Sequence, residues 1–189
     1  MKKIAIFISG AGSNAERMIL RFSKMEELEV SCLISSKKNK RIESLCKQHD
    51  VSYKESPFRT ENHQEIMSYL LKKDVGWLVL AGFLKKIPEE IIKAFPNKII
   101  NLHPSLLPKY GGKGMYGMHV HNAVIDAREK ISGITIHYVN EEYDKGKIIK
   151  QFNTSIEDSD DSNSLFEKIR ELETLYFPQV VENEILNTP

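Results

Sequence analysis

The 189 residues are 41% hydrophobic and 28% charged, enough apolar volume for a folded core and too little charge bias for extended disorder; the length suits one domain. The 27 Lys and Arg nearly cancel the 26 Asp and Glu, and a net charge of +1 argues against nucleic-acid binding through bulk phosphate neutralisation. No apolar run approaches the roughly 20 residues that span a bilayer, and the run after Met1-Lys2-Lys3 breaks at Ser9-Gly10 with no cleavage-like continuation, so a cytoplasmic protein without a membrane partner is expected.

Ile4 to Ile8 is a continuous apolar run, the pattern of a strand covered on both faces in a parallel sheet. Val30 to Ile34, Trp77 to Ala81 and Lys98 to Leu102 repeat it. Between them, Asn14 to Lys24, Arg41 to His49 and Asn62 to Lys73 space apolar residues at three and four, as helices do. Alternating strands and helices with right-handed crossovers predict an α/β, doubly wound, mostly parallel sheet whose ligand site lies at the carboxyl ends of its strands. The pattern then changes: Ile131 to Val139 alternates, Asp144-Lys145-Gly146 reads as a turn, and Lys147 to Phe152 is extended, predicting an antiparallel pair and a mixed C-terminal portion. Glu157 to Asp161 suits a solvated helix entry, and Leu165, Ile169 and Leu172 mark one face of a closing helix. The whole chain, 1–189, is read as one domain, with a phosphate-binding half at 1–100.

Three groups of residues carry candidate chemistry. Gly10-Ala11-Gly12-Ser13-Asn14-Ala15 joins the first strand to the first helix, where backbone N–H groups and the helix dipole converge on an anion. The same glycines would also serve a plain strand-to-helix turn. NAD is disfavoured, because the second strand ends in Ser35-Ser36-Lys37-Lys38 with no acidic residue for a ribose diol. At the fourth apolar run, strand alternation points Asn101 and His103 to one side, and Asp144 offers a carboxylate that favours a protonated imidazole; alone, each also reads as an ordinary structural residue. His119, His121 and His103 have no companion carboxylate or cysteine completing a ligand set, so no metal is expected. The two cysteines, Cys32 and Cys46, lack CxxC spacing and are expected to be reduced and structural; with no GxSxG elbow, transfer without a covalent intermediate is simpler.

The run Asn101-Leu102-His103-Pro104-Ser105-Leu106-Leu107-Pro108-Lys109-Tyr110 resembles the signature of the phosphoribosylglycinamide formyltransferases, folate-dependent enzymes of purine synthesis. Ile8 to Asn14 is similar to that family's phosphate loop, Leu80 to Leu84 to its folate-pocket strand, and Gly133 to Gln151 to its catalytic aspartate region, in the same order along the chain. The resemblance implies a Rossmann-like formyltransferase fold with a catalytic and folate-binding half at 101–189, and 10-formyltetrahydrofolate as co-substrate. It implies Asn101, His103 and Asp144 as catalytic residues, and Gly12, Ser13, Asn14 and Glu173 for the phosphorylated glycinamide. It implies Arg59, Leu84, Lys85, Lys86, Ile87, Val139, Asn140 and Glu141 for folate, together with Asn101 and Asp144; Lys86 stands where an apolar residue is common.

Relatives that formylate methionyl-tRNA or sugar nucleotides share the Asn-x-His and the distant Asp. The phosphate loop, Glu173 and a start directly at the first strand favour the small phosphorylated amine over acceptors whose enzymes carry further domains. Another small amine, a non-catalytic nucleotide-binding module and a dehydrogenase remain the alternatives. Partners are expected to be small molecules, with the chain a monomer or homodimer. Gly111, Gly112, Gly114 and Gly117, within an insertion relative to the shorter family form at Gly111 to Met118, are expected to form a mobile flap over the ligands rather than a rigid helix or strand.

Overall fold

The computed structural model describes residues 1–188. Seven strands form one sheet in the order β3-β2-β1-β4-β5-β6-β7, comprising β1 (Lys2–Ile8), β2 (Leu28–Ser35), β3 (Ser52–Glu55), β4 (Trp77–Leu80), β5 (Ile99–His103), β6 (Ile131–Tyr138) and β7 (Ile148–Ser155). The first five are parallel, and β6 and β7 add on as antiparallel neighbours beyond β5. This is the doubly wound sheet with a mixed C-terminal portion that the apolar runs predict.

In β1, Ile4, Ile6 and Ile8 enter one apolar layer while Ala5 and Phe7 enter the other, and all five are fully buried. The first layer is closed by α1 (Ser13–Phe22), α2 (Lys40–Gln48), α5 (Met118–Asp126) and α6 (Ser162–Asn187), through residues such as Met18, Ile42, Val120, Ile169 and Val181. The second is closed by α3 (His63–Lys72) and α4 (Glu89–Ala94), with Ile66, Leu70, Ile91 and Ile92 against Phe7, Phe58 and Phe83. Cys32 and Cys46 are both free thiols within these layers, and burial pushes their pKa values up to about 12 and about 11, away from thiolate chemistry.

Three elements go beyond the apolar pattern. β3 reads Ser-Tyr-Lys-Glu because it is an edge strand, paired with β2 alone and half open to solvent. The six-residue α4 is too short to show periodicity and is launched by Pro88, which lacks an N–H in the first turn where none is needed. α5 begins at Met118, so the glycine-rich segment ends one residue earlier than its composition suggests.

The 26-residue α6 carries Pro178 inside it, yet Phe177, Val181 and Ile185 remain fully buried, so core packing carries the helix past the missing N–H. Its start is specified by a capping box: Asp161 accepts from the N–H groups of Asn163 and Ser164 at 2.9 and 2.8 Å, and Ser164 Oγ accepts the Asp161 N–H at 2.9 Å. Asp161→Ala is therefore expected to destabilise the fold, read as a lower urea midpoint with an unchanged denaturant slope.

Candidate functional site

Antiparallel pairing sets Asn101 opposite His137 and His103 opposite Thr135 at the carboxyl end of β5. Asn101 Nδ2 lies 3.1 Å from His137 Nε2, while His137 Nδ1 lies 2.7 Å from the Tyr138 carbonyl. The carbonyl can only accept, so Nδ1 carries the proton and Nε2 accepts from the Asn101 amide. Burial holds the His137 pKa below the ordinary histidine value against the opposing pull of the Tyr138 carbonyl and Asp144, keeping the ring neutral. One N–H of the Asn101 amide is thus tied down, leaving its second N–H for a ligand.

His103 is 4% exposed, with Nε2 donating to the Tyr110 carbonyl at 2.8 Å and Nδ1 3.5 Å from Asp144 Oδ2. The loop that returns Tyr110 to this ring is pinned by side chains from β6 and β7. Thr135 Oγ1 donates to the Ser105 carbonyl at 2.6 Å and accepts the Leu107 N–H at 2.9 Å, while Gln151 Nε2 donates to the Leu107 carbonyl at 3.0 Å. Asp144, in a left-handed conformation (φ 56°) on the β6–β7 connection, also accepts the Gly112 N–H at 2.8 Å and approaches His137 Nε2 at 3.8 Å. Gly146, just beyond it, has no room for a Cβ, which would collide with the Tyr138 carbonyl; the bare glycine lets the connection fold back on β6.

Between β1 and α1 the chain passes Gly12, left-handed at φ 77°, where a Cβ would also lie 2.8 Å from Ile42 Cγ1. Asn39 Nδ2 donates to the Gly10 and Ala11 carbonyls at 3.1 and 3.3 Å, and Arg41 Nη2 donates to Ala11 at 2.9 Å. In trans peptides the N–H opposes the carbonyl, so the N–H groups of Ala11 and Gly12 point away from Asn39 and Arg41 and are left for an anion at the α1 N-terminus. Asn14, in the first turn of α1, donates from Nδ2 to Glu173 Oε2 at 2.8 Å. Burial pushes the Glu173 carboxyl above the ordinary carboxylate value, partly offset by that hydrogen bond and by Arg170.

These groups open on one cavity of about 650 Å³ at the carboxyl ends of β1, β4 and β5. Asn101, His103 and Asp144 line it, as do Asn14 and Glu173, the whole stretch Leu84 to Ile87, and Val139, Asn140 and Glu141. Lys86 Nζ lies 5.7 Å from the centre of the Tyr143 ring, which accounts for a lysine at an otherwise apolar place. Gly12 and Ser13 stand behind the wall, which Gly10 and Asn14 form instead. Arg59 is not brought to the wall: its exposed guanidinium faces Glu61 at 4.0 Å. Gly112 to Gly117 run along the cavity, tethered through Gly112 to Asp144. His119 stacks edge-on with Tyr116 while His121 packs on Phe166, and among the described residues no group of three or more His, Cys, Asp or Glu is arranged to hold a metal ion. No helix among the described residues is long and apolar enough to cross a membrane.

The formyl transferase family matches residues 2–181. The chain belongs to this family. The chloroplastic phosphoribosylglycinamide formyltransferase of Arabidopsis thaliana is 36% identical over 95% of the chain, which spans 64% of that protein's length. The Bacillus subtilis phosphoribosylglycinamide formyltransferase is 34% identical, over 96% of the chain and 94% of its own length. The crystal structure of the Bacillus halodurans phosphoribosylglycinamide formyltransferase superposes with a TM-score of 0.87 at 31% identity, covering 98% of this chain and 96% of that one. Within the formyl transferase fold, His137 is a cavity residue that motif reading misses, and His121, weighed in the sequence only as a metal ligand, is another residue of the cavity. His137 was detectable only by placing β6 against β5, and His121 sits between Val120 and Val124 on a helix whose buried face otherwise reads as core.

The raised Glu173 carboxyl has a consequence for stability. Because its folded-state pKa lies above the unfolded value, charging it opposes folding, so Glu173→Gln is expected to raise the melting temperature of the ligand-free protein at pH 8. That gain should shrink as pH falls through the ordinary carboxylate range, where Glu173 is protonated in both states, and thermal melts from pH 8 to pH 4 measure it.

Proposed function

We propose that the chain transfers the formyl group of 10-formyltetrahydrofolate to the amine of phosphoribosylglycinamide, a step of purine synthesis, without a covalent intermediate and as a cytoplasmic enzyme. The observation that carries this reading is the meeting of Asn101, His103 and Asp144 in one cavity between two differently built walls. One wall, with Gly10 just before the α1 N-terminus and the Asn14–Glu173 pair, suits a phosphorylated, hydroxyl-bearing amine. The other, Leu84 to Ile87 with Val139 to Glu141, offers apolar surface and backbone to a flat pterin, with lysines for the acidic end of a folate. Arg59 would reach that acidic end only from the solvent side.

In this mechanism the amine nitrogen attacks the formyl carbon, and the carbonyl electron pair moves onto oxygen. The second N–H of Asn101 donates to that oxyanion. His103 Nδ1, too far from Asp144 at 3.5 Å for a well-formed hydrogen bond, keeps its proton available for the same oxygen. Asp144 balances the imidazolium and, through water, accepts a proton from the attacking amine. When the tetrahedral adduct collapses, the oxyanion pair re-forms the carbonyl, the bond to the folate nitrogen breaks, and that nitrogen takes up, through water, the proton Asp144 accepted from the amine, releasing tetrahydrofolate. The Gly111 to Gly117 segment over the cavity excludes bulk water, which would otherwise compete for the formyl group.

Mixing the protein with 10-formyltetrahydrofolate and glycinamide ribonucleotide should yield tetrahydrofolate and formylglycinamide ribonucleotide in equal amounts; absence of either product from folded protein overturns the proposal. His103→Ala and Asp144→Asn are each expected to lower kcat by at least about 100-fold with the fold retained by circular dichroism. Gly12 is a poor probe of the phosphate because its substitution would drive a side chain into Ile42, whereas a Cβ at Gly10 meets nothing within 4 Å. Gly10→Val should raise the acceptor KM at least about tenfold, the scale of a lost charge-assisted hydrogen bond, and leave the folate KM unchanged.

A further inference from the structure

Among the described residues, two buried side-chain polar atoms have no hydrogen-bond partner, His121 Nδ1 and Ser132 Oγ, and of the two residues only His121 lines the cavity. Buried polar groups are normally satisfied, so a native orphan on a residue that lines a ligand site calls for a reason. His121 is 2% exposed on α5, and its ring meets Phe166 of α6 edge-on, with centroids 5.6 Å apart at 74°. Phe166 lines the cavity and stands seven residues before Glu173, two turns along the same face of α6, so His121 belongs to the wall that carries Glu173 and Asn14. The folate wall is built from other elements, the β4–α4 and β6–β7 connections. Burial, reinforced by the neighbouring His103, holds the imidazole below the ordinary histidine pKa and therefore neutral, with one donor and one acceptor nitrogen.

We propose that His121 is a recognition residue for the phosphorylated amine: its imidazole makes, with an amide or hydroxyl group of that acceptor, the hydrogen bond left unmade in the free protein. This rests on the acceptor proposed above. The contact explains why α5 spends a histidine between Val120 and Val124, where an apolar side chain would fill the space without an unpaired atom. It also gives the neutral ring a role distinct from that of His103, which faces the Tyr110 carbonyl and Asp144.

Calorimetric titration with glycinamide ribonucleotide and, separately, with tetrahydrofolate tests this in the wild type and in His121→Phe, His121→Leu and His121→Asn. Phe and Leu remove the nitrogen; Leu keeps the test alive if the larger Phe ring does not fold. Asn returns an amide at the position of Nδ1. In the folded Phe or Leu variant the Kd for glycinamide ribonucleotide should rise at least about tenfold while that for tetrahydrofolate is unchanged. The ligand-free variant should melt no lower than the wild type, since an apolar replacement removes an unpaired buried atom. Asn should recover most of the acceptor affinity. Unchanged acceptor affinity in the folded Phe or Leu variant, or equal losses for both ligands, overturns the inference. A wild type that binds no glycinamide ribonucleotide overturns the proposed function and this inference with it, whereas wild-type binding matched by the variants overturns this inference alone.

Discussion

Antiparallel addition of β6 to β5 fixes which side chains can meet at the end of the sheet. With Asn101 opposite His137 and His103 opposite Thr135, the two strands alternate in phase: the amide meets the imidazole that orients it, and the His103 ring sits beside the hydroxyl that holds its own loop. A slip of one residue would turn every β6 side chain to the other face, moving His137 into an apolar layer and setting Ile134 and Ile136 among the polar partners that His137 and Thr135 meet in the observed register. Apolar burial and site geometry therefore select the same register. β7 extends the arrangement, because Gln151 stands opposite Thr135 and reaches the Leu107 carbonyl from there.

Electrostatics divides the cavity as the strands divide its walls. His137 and His121 are held neutral by burial, and the Glu173 carboxyl is pushed toward its neutral form by the same cause, with Asn14 supplying one fixed donor. Around Asp144 the arrangement differs: a backbone N–H from Gly112 and two imidazoles converge on a single carboxylate. A carboxylate is thus placed beside both rings, His103 and His137. Neutral hydrogen-bonding groups line the wall assigned above to the amine, whose attack in the proposed mechanism requires its uncharged form.

The parallel half of the fold is legible because a strand buried on both faces must be apolar at every position, as Ile4 to Ile8 is, and helices covering it must keep a three-and-four spacing. β3 escapes that logic, since an edge strand with solvent on one side tolerates Tyr-Lys-Glu, and α4 escapes it by length. In the site, Asn101, His103 and Asp144 are legible through an unusually specific run of residues and the turn around Gly146. His137 and His121 are not, because a histidine within an apolar strand or helix face looks like a satisfied core residue until its neighbours are placed. Arg59 shows the opposite difficulty: its place in the chain suggests a folate contact, but local backbone direction carries the side chain outward to Glu61.

Ser9 links the two walls at the level of the backbone. Its Oγ accepts the Leu84 N–H at 3.0 Å and the Ser36 hydroxyl at 2.8 Å, and its own N–H donates to the Gly82 carbonyl at 3.1 Å. The stretch that begins the folate wall is thereby fastened to the last turn of chain before Gly10, which opens the phosphate wall. In the proposed reaction, two ligands held by walls that are fastened together just beyond β1 have little freedom to drift relative to each other. Transfer between two bound molecules gains most when their separation is set before the reaction begins, because orientational entropy is then lost on binding rather than at the barrier. Ser9 is 6% exposed and Ser36 8%, so no bulk water competes for these bonds. Under the proposed reaction, the spacing of donor and acceptor is consequently set by β1 and its immediate neighbours, with the glycine-rich segment and the helices left to selectivity and the exclusion of water.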